Sequence, residues 1–176
     1  ARPTDGSSEN EYVFHLGFRP PYNWNAMLDF LTPRCTPGVE LVENSSYRRS
    51  ISVDGAHGWL EVSFHEENHC LIARVYFPHP HSLFTITERI RRMFDLDADW
   101  QSIEATLASD PMLPRLMKAN PGVRLPGSWD SFELTVRAVL GQQISVKGAT
   151  TLAGRMARLF GKPFSPAKGL THLFPT

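Results

Sequence analysis

Tyr12, Phe14, Leu16 and Phe18 fall in phase at period two, which predicts a strand with one buried face. Pro20 and Pro21 end it. Asn25 is placed to cap a short helix with Met27, Leu28, Phe30 and Leu31 on one side, stopped by Pro33. Period two then returns. A short strand is expected at Val39 to Val42, a second through Tyr47, Ile51 and Val53, a third through Leu60, Val62 and Phe64, and a fourth through Leu71, Ala73, Val75 and Phe77. Asp54-Gly55 and Glu67-Asn68 sit where hairpin turns are needed.

After Pro78 and Pro80 the period changes to that of a helix. Ile86, Ile90, Met93 and Phe94 predict one helix over Ser82 to Phe94 that packs on the sheet. Beyond Asp97 only helical spacings remain, through Gln101 to Ala108 and Leu113 to Met117. Asp130 and Glu133 have the spacing of a capping box ahead of an apolar stripe of Phe132, Val136, Val139 and Leu140, which Gly141 breaks. Ser145 can cap a further helix with Val146, Ala149, Ala153, Met156 and Phe160 inward and Gly161 as terminator. The expected fold class is therefore α+β: an antiparallel sheet with helices over residues 12–97, followed by an all-helical unit over 98–176. Residues 1–11 are too polar to bury a core and read as a linker or leader.

Composition narrows the classes. A hydrophobic fraction of 41% with 20% charged residues describes a folded globular chain. No apolar run of membrane-spanning length and no signal-peptide pattern occur, so the expectation is a soluble, cytoplasmic protein with no membrane partner. Cys35 and Cys70 lack metal-ligand spacing and read as buried thiols. The net charge of zero conceals an asymmetry. Ala1 to Asp110 carry 9 Lys plus Arg against 16 Asp plus Glu, whereas Pro111 to Thr176 carry 9 against 2. A basic back third suits a polyanion such as nucleic acid; its charges could equally pair with the acidic front or with acidic residues beyond Thr176.

Five segments in order resemble the bacterial 3-methyladenine DNA glycosylase II family, the AlkA type. They are Pro20-Pro21-Tyr22-Asn23-Trp24, with Asn23 where Asp is usual; Met27-Leu28-Asp29-Phe30-Leu31; Met93-Phe94-Asp95-Leu96; Pro121-Gly122-Val123-Arg124-Leu125-Pro126-Gly127; and Arg137 through Gly141-Gln142-Gln143-Ile144-Ser145-Val146. The resemblance implies a first domain like half of a TATA-binding protein, then a truncated helix-hairpin-helix glycosylase domain. Some members are fused behind an Ada-type alkylation-response regulator.

It also implies a chemistry: base-excision repair by hydrolysis of the N-glycosylic bond of alkylated purines in double-stranded DNA. The target nucleotide must leave the stack, and a wedge must fill the gap. Gln143 occupies the wedge position, where an apolar Leu is known in the best-studied type. Gln142 and the Ser145 helix start fall where neighbouring bases and phosphates would be held. Phe30 matches a residue of the base pocket; Trp24 and Trp129 read as packing residues. No cofactor or metal is implied, and the partner is alkylated duplex DNA met by a monomer associated with the bacterial nucleoid.

The family's catalytic Asp follows a helix-hairpin-helix, and these residues contain neither. Asp130 is the sole Asp from Pro111 to Thr176 and reads as a helix cap, so no catalytic residue is assigned and the chain alone is expected to be inactive. Two other readings fit parts of the sequence. One is a non-enzymatic DNA- or protein-binding module of an alkylation-response regulator. The other is a zinc hydrolase, from His65-Glu66-Glu67-Asn68-His69, with His57, His79 and His81 as conceivable extra ligands. That motif needs both imidazoles on one helical face, and a hairpin is expected there.

Overall fold

The computed structural model describes residues 10–176; the expected leader lies largely outside them. Five strands form one antiparallel sheet in the order β1-β5-β4-β3-β2: β1 Glu11–Gly17, β2 Glu40–Glu43, β3 Ser46–Val53, β4 Ala56–His65 and β5 Cys70–Tyr76. The α+β expectation holds, and four of the five strands meander through hairpins. Glu11 is not leader but the start of β1, where its carboxylate accepts from Tyr76 at 2.9 Å and pairs with Arg74 at 3.3 Å.

Asp54 and Gly55 both have positive φ between the paired residues Val53 and Ala56, as a two-residue turn matching strand twist requires. Asn44 and Ser45 do the same between β2 and β3. The period-two pattern sends Leu16, Tyr47, Ile51, Val53, Leu60 and Val62 to one face, which helices α1 (Trp24–Leu31) and α2 (Leu83–Met93) cover. Their Trp24, Met27, Leu28, Ile86, Ile90 and Met93 complete the core. Trp24 is a packing residue, as expected, with its Nε1 donating to the Ser45 carbonyl at 3.0 Å. The cap of α1 is Asn23, not Asn25: its side chain accepts from the Ala26 amide at 2.9 Å.

Helices α3 (Trp100–Leu107), α4 (Leu113–Ala119), α5 (Ser131–Leu140) and α6 (Val146–Phe160) follow. The back part is not all helix, because Leu170 bridges Gly38 and His172 bridges Pro163. The tail thus returns to the sheet, where Ser50 Oγ donates to the His172 carbonyl at 2.6 Å. The front of the back part is tied down by Arg124, which is buried. Its guanidinium donates to the carbonyls of Ala98 (2.9 Å), Pro21 (3.0 Å) and Arg19, and lies over Tyr22 and Trp100. Burial lowers its pKa, against the opposing pull of Asp95.

The histidine motif lies in the β4–β5 hairpin. His65 closes β4 opposite Cys70, and Glu66 to His69 form the turn, with His69 at positive φ. The helix that zinc peptidase chemistry needs is therefore not formed there.

Candidate functional site

Two expected stripes hold only in part: Val136 and Ala153 face the protein as expected, but other members do not. In α5 Glu133 and Arg137 turn inward beside Val136, while Phe132 and Val139 are exposed. Asp130 does cap α5, accepting from the Phe132 and Glu133 amides at 2.9 and 3.2 Å. Glu133 does not complete a capping box. It pairs instead with Arg49 of β3 at 2.7 Å, and Arg49 is almost wholly buried. In α6 the buried residues are Ala153 and Ala157, and a Cβ on Gly154 would come within 2.9 Å of Pro37. Small side chains let that helix approach Pro33 and Pro37 closely, which leaves Val146 and Phe160 uncovered.

The buried charges form one lattice. Glu40 accepts from the Thr36 amide (2.9 Å), the Tyr47 hydroxyl (2.5 Å) and Arg137 (3.0 Å), with Arg49 at 3.5 Å. Burial alone would raise its carboxyl pKa, but Arg49, Arg137 and the two hydrogen bonds hold it below the usual carboxylate range. The same burial pushes the Tyr47 hydroxyl well up, with Glu40 adding to it. Arg49 also faces the Trp129 ring, so Trp129 is a packing residue as expected. Of the basic excess, Arg124 and Arg137 are thus spent inside the fold.

Above this lattice lies a cleft of about 250 Å³ between α1, the sheet and α5. Phe30 stands on its wall, 41% exposed, with the Arg34 guanidinium 3.9 Å from its ring centre. It is not a core aromatic. Cys35 lines the same cleft; burial, then Glu40, push its thiol up to about 12. In a Cys70→Ser variant, alkylation of Cys35 at pH 8 should run about tenfold or more slower than that of free cysteine, and still climb between pH 9 and pH 10. A rate that levels off near pH 9 would contradict this assignment.

A second cleft, lined by Arg34, Arg137, Gly141, Ile144 and Val146, leads from there to the turn between α5 and α6. Arg34 and Arg137 line both. Gly141 ends α5, and Gln142, Gln143 and Ser145 are all exposed in the turn. Gln143 has φ +59, a left-handed conformation uncommon for residues other than glycine. Ser145 caps α6 as expected, its hydroxyl accepting from the Gly148 amide at 3.2 Å. That hydroxyl satisfies the Gly148 amide, while the Val146 and Lys147 amides have no acceptor within the helix. Phe30 and the turn's flanking residues Gly141 and Ile144 thus line two clefts that share Arg34 and Arg137.

Arg34, Glu40 and Arg49 lay outside the sequence expectations, Glu133 was expected only in a capping box, and Arg137 only within the matched segment. One signal was readable: period two puts Arg49 on the same face as Tyr47 and Ile51, an inward charge that demands a partner.

Among known proteins, the chain is 36% identical over 172 residues to the "Probable bifunctional transcriptional activator/DNA repair enzyme AlkA" of Mycobacterium tuberculosis, covering 97% of this chain and 34% of that protein. It is 35% identical over 150 residues to "DNA-3-methyladenine glycosylase 2" of Escherichia coli, covering 85% and 51%. The chain thus spans about a third to a half of the curated relatives it matches. Among solved structures, a 3-methyladenine DNA-glycosylase from Archaeoglobus fulgidus superposes with TM-score 0.77 at 24% identity, over 94% of this chain and 56% of that one, a likeness of fold. Residues 13–130, from β1 through the Arg124 tie to the α5 cap, match the family described as the AlkA N-terminal domain, and the chain belongs to that family.

Proposed function

We propose that this chain is the N-terminal portion of a DNA glycosylase that excises alkylated purines of the 3-methyladenine type by hydrolysis of the N-glycosylic bond. Residues 12–97 serve as its TATA-binding-protein-like domain and 98–176 as the start of its helical domain. The observation that carries this reading is the exposed, left-handed Gln143 in the α5–α6 turn, whose neighbours Gly141 and Ile144 line a cleft that shares Arg34 and Arg137 with the Phe30 cleft. A wedge must project and be held by rigid neighbours, and a turn between two capped helices meets both needs.

In this reading Gln143 fills the gap left by the flipped nucleotide and hydrogen-bonds the orphaned base through its amide. Gln142 and the Ser145 helix start hold adjacent groups, with helix amides facing a phosphate. Phe30 offers an aromatic face to the cationic base, an attraction of roughly 0.5 to 2 kcal/mol; Arg34 must swing off that face, or the base must use the other. The catalytic carboxylate is not assigned, since Asp130 is engaged by two amides, and the 176 residues alone are read as inactive. The protein acts as a monomer on duplex DNA in the cytoplasm.

The test is release of alkylated base from methylated duplex DNA. The longer protein to which this portion belongs should release base, and residues 1–176 alone should not. Gln143→Ala in the longer protein should cost on the order of tenfold in kcat/KM, about 1.4 kcal/mol. If the longer protein releases no base, the chain is better read as a non-enzymatic binding module.

A further inference from the structure

After Glu133 the chain contains no Asp or Glu to its end at Thr176, yet carries Arg137, Lys147, Arg155, Arg158, Lys162 and Lys168. Arg137 is tied into the buried lattice, and Lys162 Nζ lies 3.0 Å from His57 Nε2. The cations of α6 are arranged differently. At 3.6 residues per turn Lys147, Thr151, Arg155 and Arg158 fall within about 80° of one another, spread over about 16 Å of helix. All four are exposed, and they lie away from the Ala153 and Ala157 side that packs on the protein. Lys147, Thr151 and Arg155 line a single shallow groove that begins at Ile144 and Ser145, the residues following Gln143. Among the described residues none of the three cations makes an ion pair, although the front of the chain is acidic.

We infer that this face of α6 is a track for the phosphate backbone of duplex DNA, continuous with the wedge turn; the inference rests on the reading proposed above. A row of unpaired cations without a carboxylate among them collects polyanion charge, and each phosphate neutralised releases condensed counterions. The hydroxyl of Thr151, between the cations, donates to its own helix at Lys147 and so leaves the surface to charge and not to base reading. The row starts at the α6 N-terminus, where helix amides add to the same positive field. Backbone held along α6 would fix the duplex beside Gln143, so that the wedge enters at a defined nucleotide.

The test is the salt dependence of binding, read by fluorescence anisotropy of residues 1–176 with a labelled duplex carrying an abasic-site analogue. The variant Lys147→Gln/Arg155→Gln/Arg158→Gln changes only exposed side chains. It should lower the slope of log affinity against log salt by about 2 to 3 and weaken binding about 100-fold near 0.1 M salt. The control Arg115→Gln/Lys118→Gln/Lys168→Gln removes the same charge from exposed positions elsewhere. It should change the slope by less than about one unit. Equal slopes for wild type and the α6 variant overturn the track, as does an effect shared equally by the control. So does a loss confined to polyglutamate, which would make an acidic protein segment the partner. Failure of the wild-type chain to bind duplex at all would instead count against the proposed function.

Discussion

Replacing Arg49 with Ala is expected to destabilise the fold by about 4 kcal/mol, a large part of the stability of a domain this size. The guanidinium is almost wholly buried between two carboxylates, Glu133 at 2.7 Å and Glu40 at 3.5 Å. Its removal leaves the buried Glu133 without its strongest partner; only Arg137, at 3.5 Å, remains nearby. Burial would lower the pKa of Arg49, but Glu133, Tyr47 and Glu40 reverse that, so the residue stays charged in the fold. Removing Glu133 alone should cost nearly as much, because Arg49 then faces a single carboxylate shared with Arg137.

The double replacement Arg49→Met/Glu133→Leu should be less destabilised than either single loss, since it removes both desolvated charges and leaves the Glu40–Arg137 pair intact. Urea unfolding of the three variants measures the coupling. Additive losses would show that the pair does not act as a unit. The Gln143 turn follows directly on α5, the helix that Glu133 and Arg137 tie to Arg49 and Glu40.

Gly122→Ala should cost about 2 to 4 kcal/mol in the same measurement. Gly122 has φ +73, and an added Cβ would meet Pro21 C and the Tyr22 amide nitrogen at 2.7 Å. Those contacts are backbone, so neither side can step aside by changing a rotamer. The Asn23 amide also donates to the Gly122 carbonyl at 2.8 Å, at the cap of α1, so a shift there loosens the start of the helix that carries Phe30. Gly55→Ala supplies the comparison. Its φ is +78 but nothing lies within 4 Å, so only the conformational penalty of about 1 kcal/mol applies. If the two glycines behave alike, the close approach of residues 121–124 to the Pro21-Tyr22 segment contributes little.

The sequence by itself determined the elements whose signals are local. Strict alternation in β1, β3, β4 and β5, the Asp54-Gly55 turn, and the caps Asp130 and Ser145 depend on neighbours a few residues away, and they appear where expected. The turn between α5 and α6, with Gln143 at its tip, was legible for the same reason. Only the tertiary structure decided which way α5 and α6 roll. Apolar periodicity favoured Phe132, Val139 and Phe160 inward, but a buried Arg49 costs more when left unpaired than an apolar side chain costs when left exposed, so Glu133 and Arg137 took the inner face. The cleft beside Phe30 is likewise built from residues more than a hundred positions apart, such as Phe30 and Arg137, and no local pattern encodes their meeting.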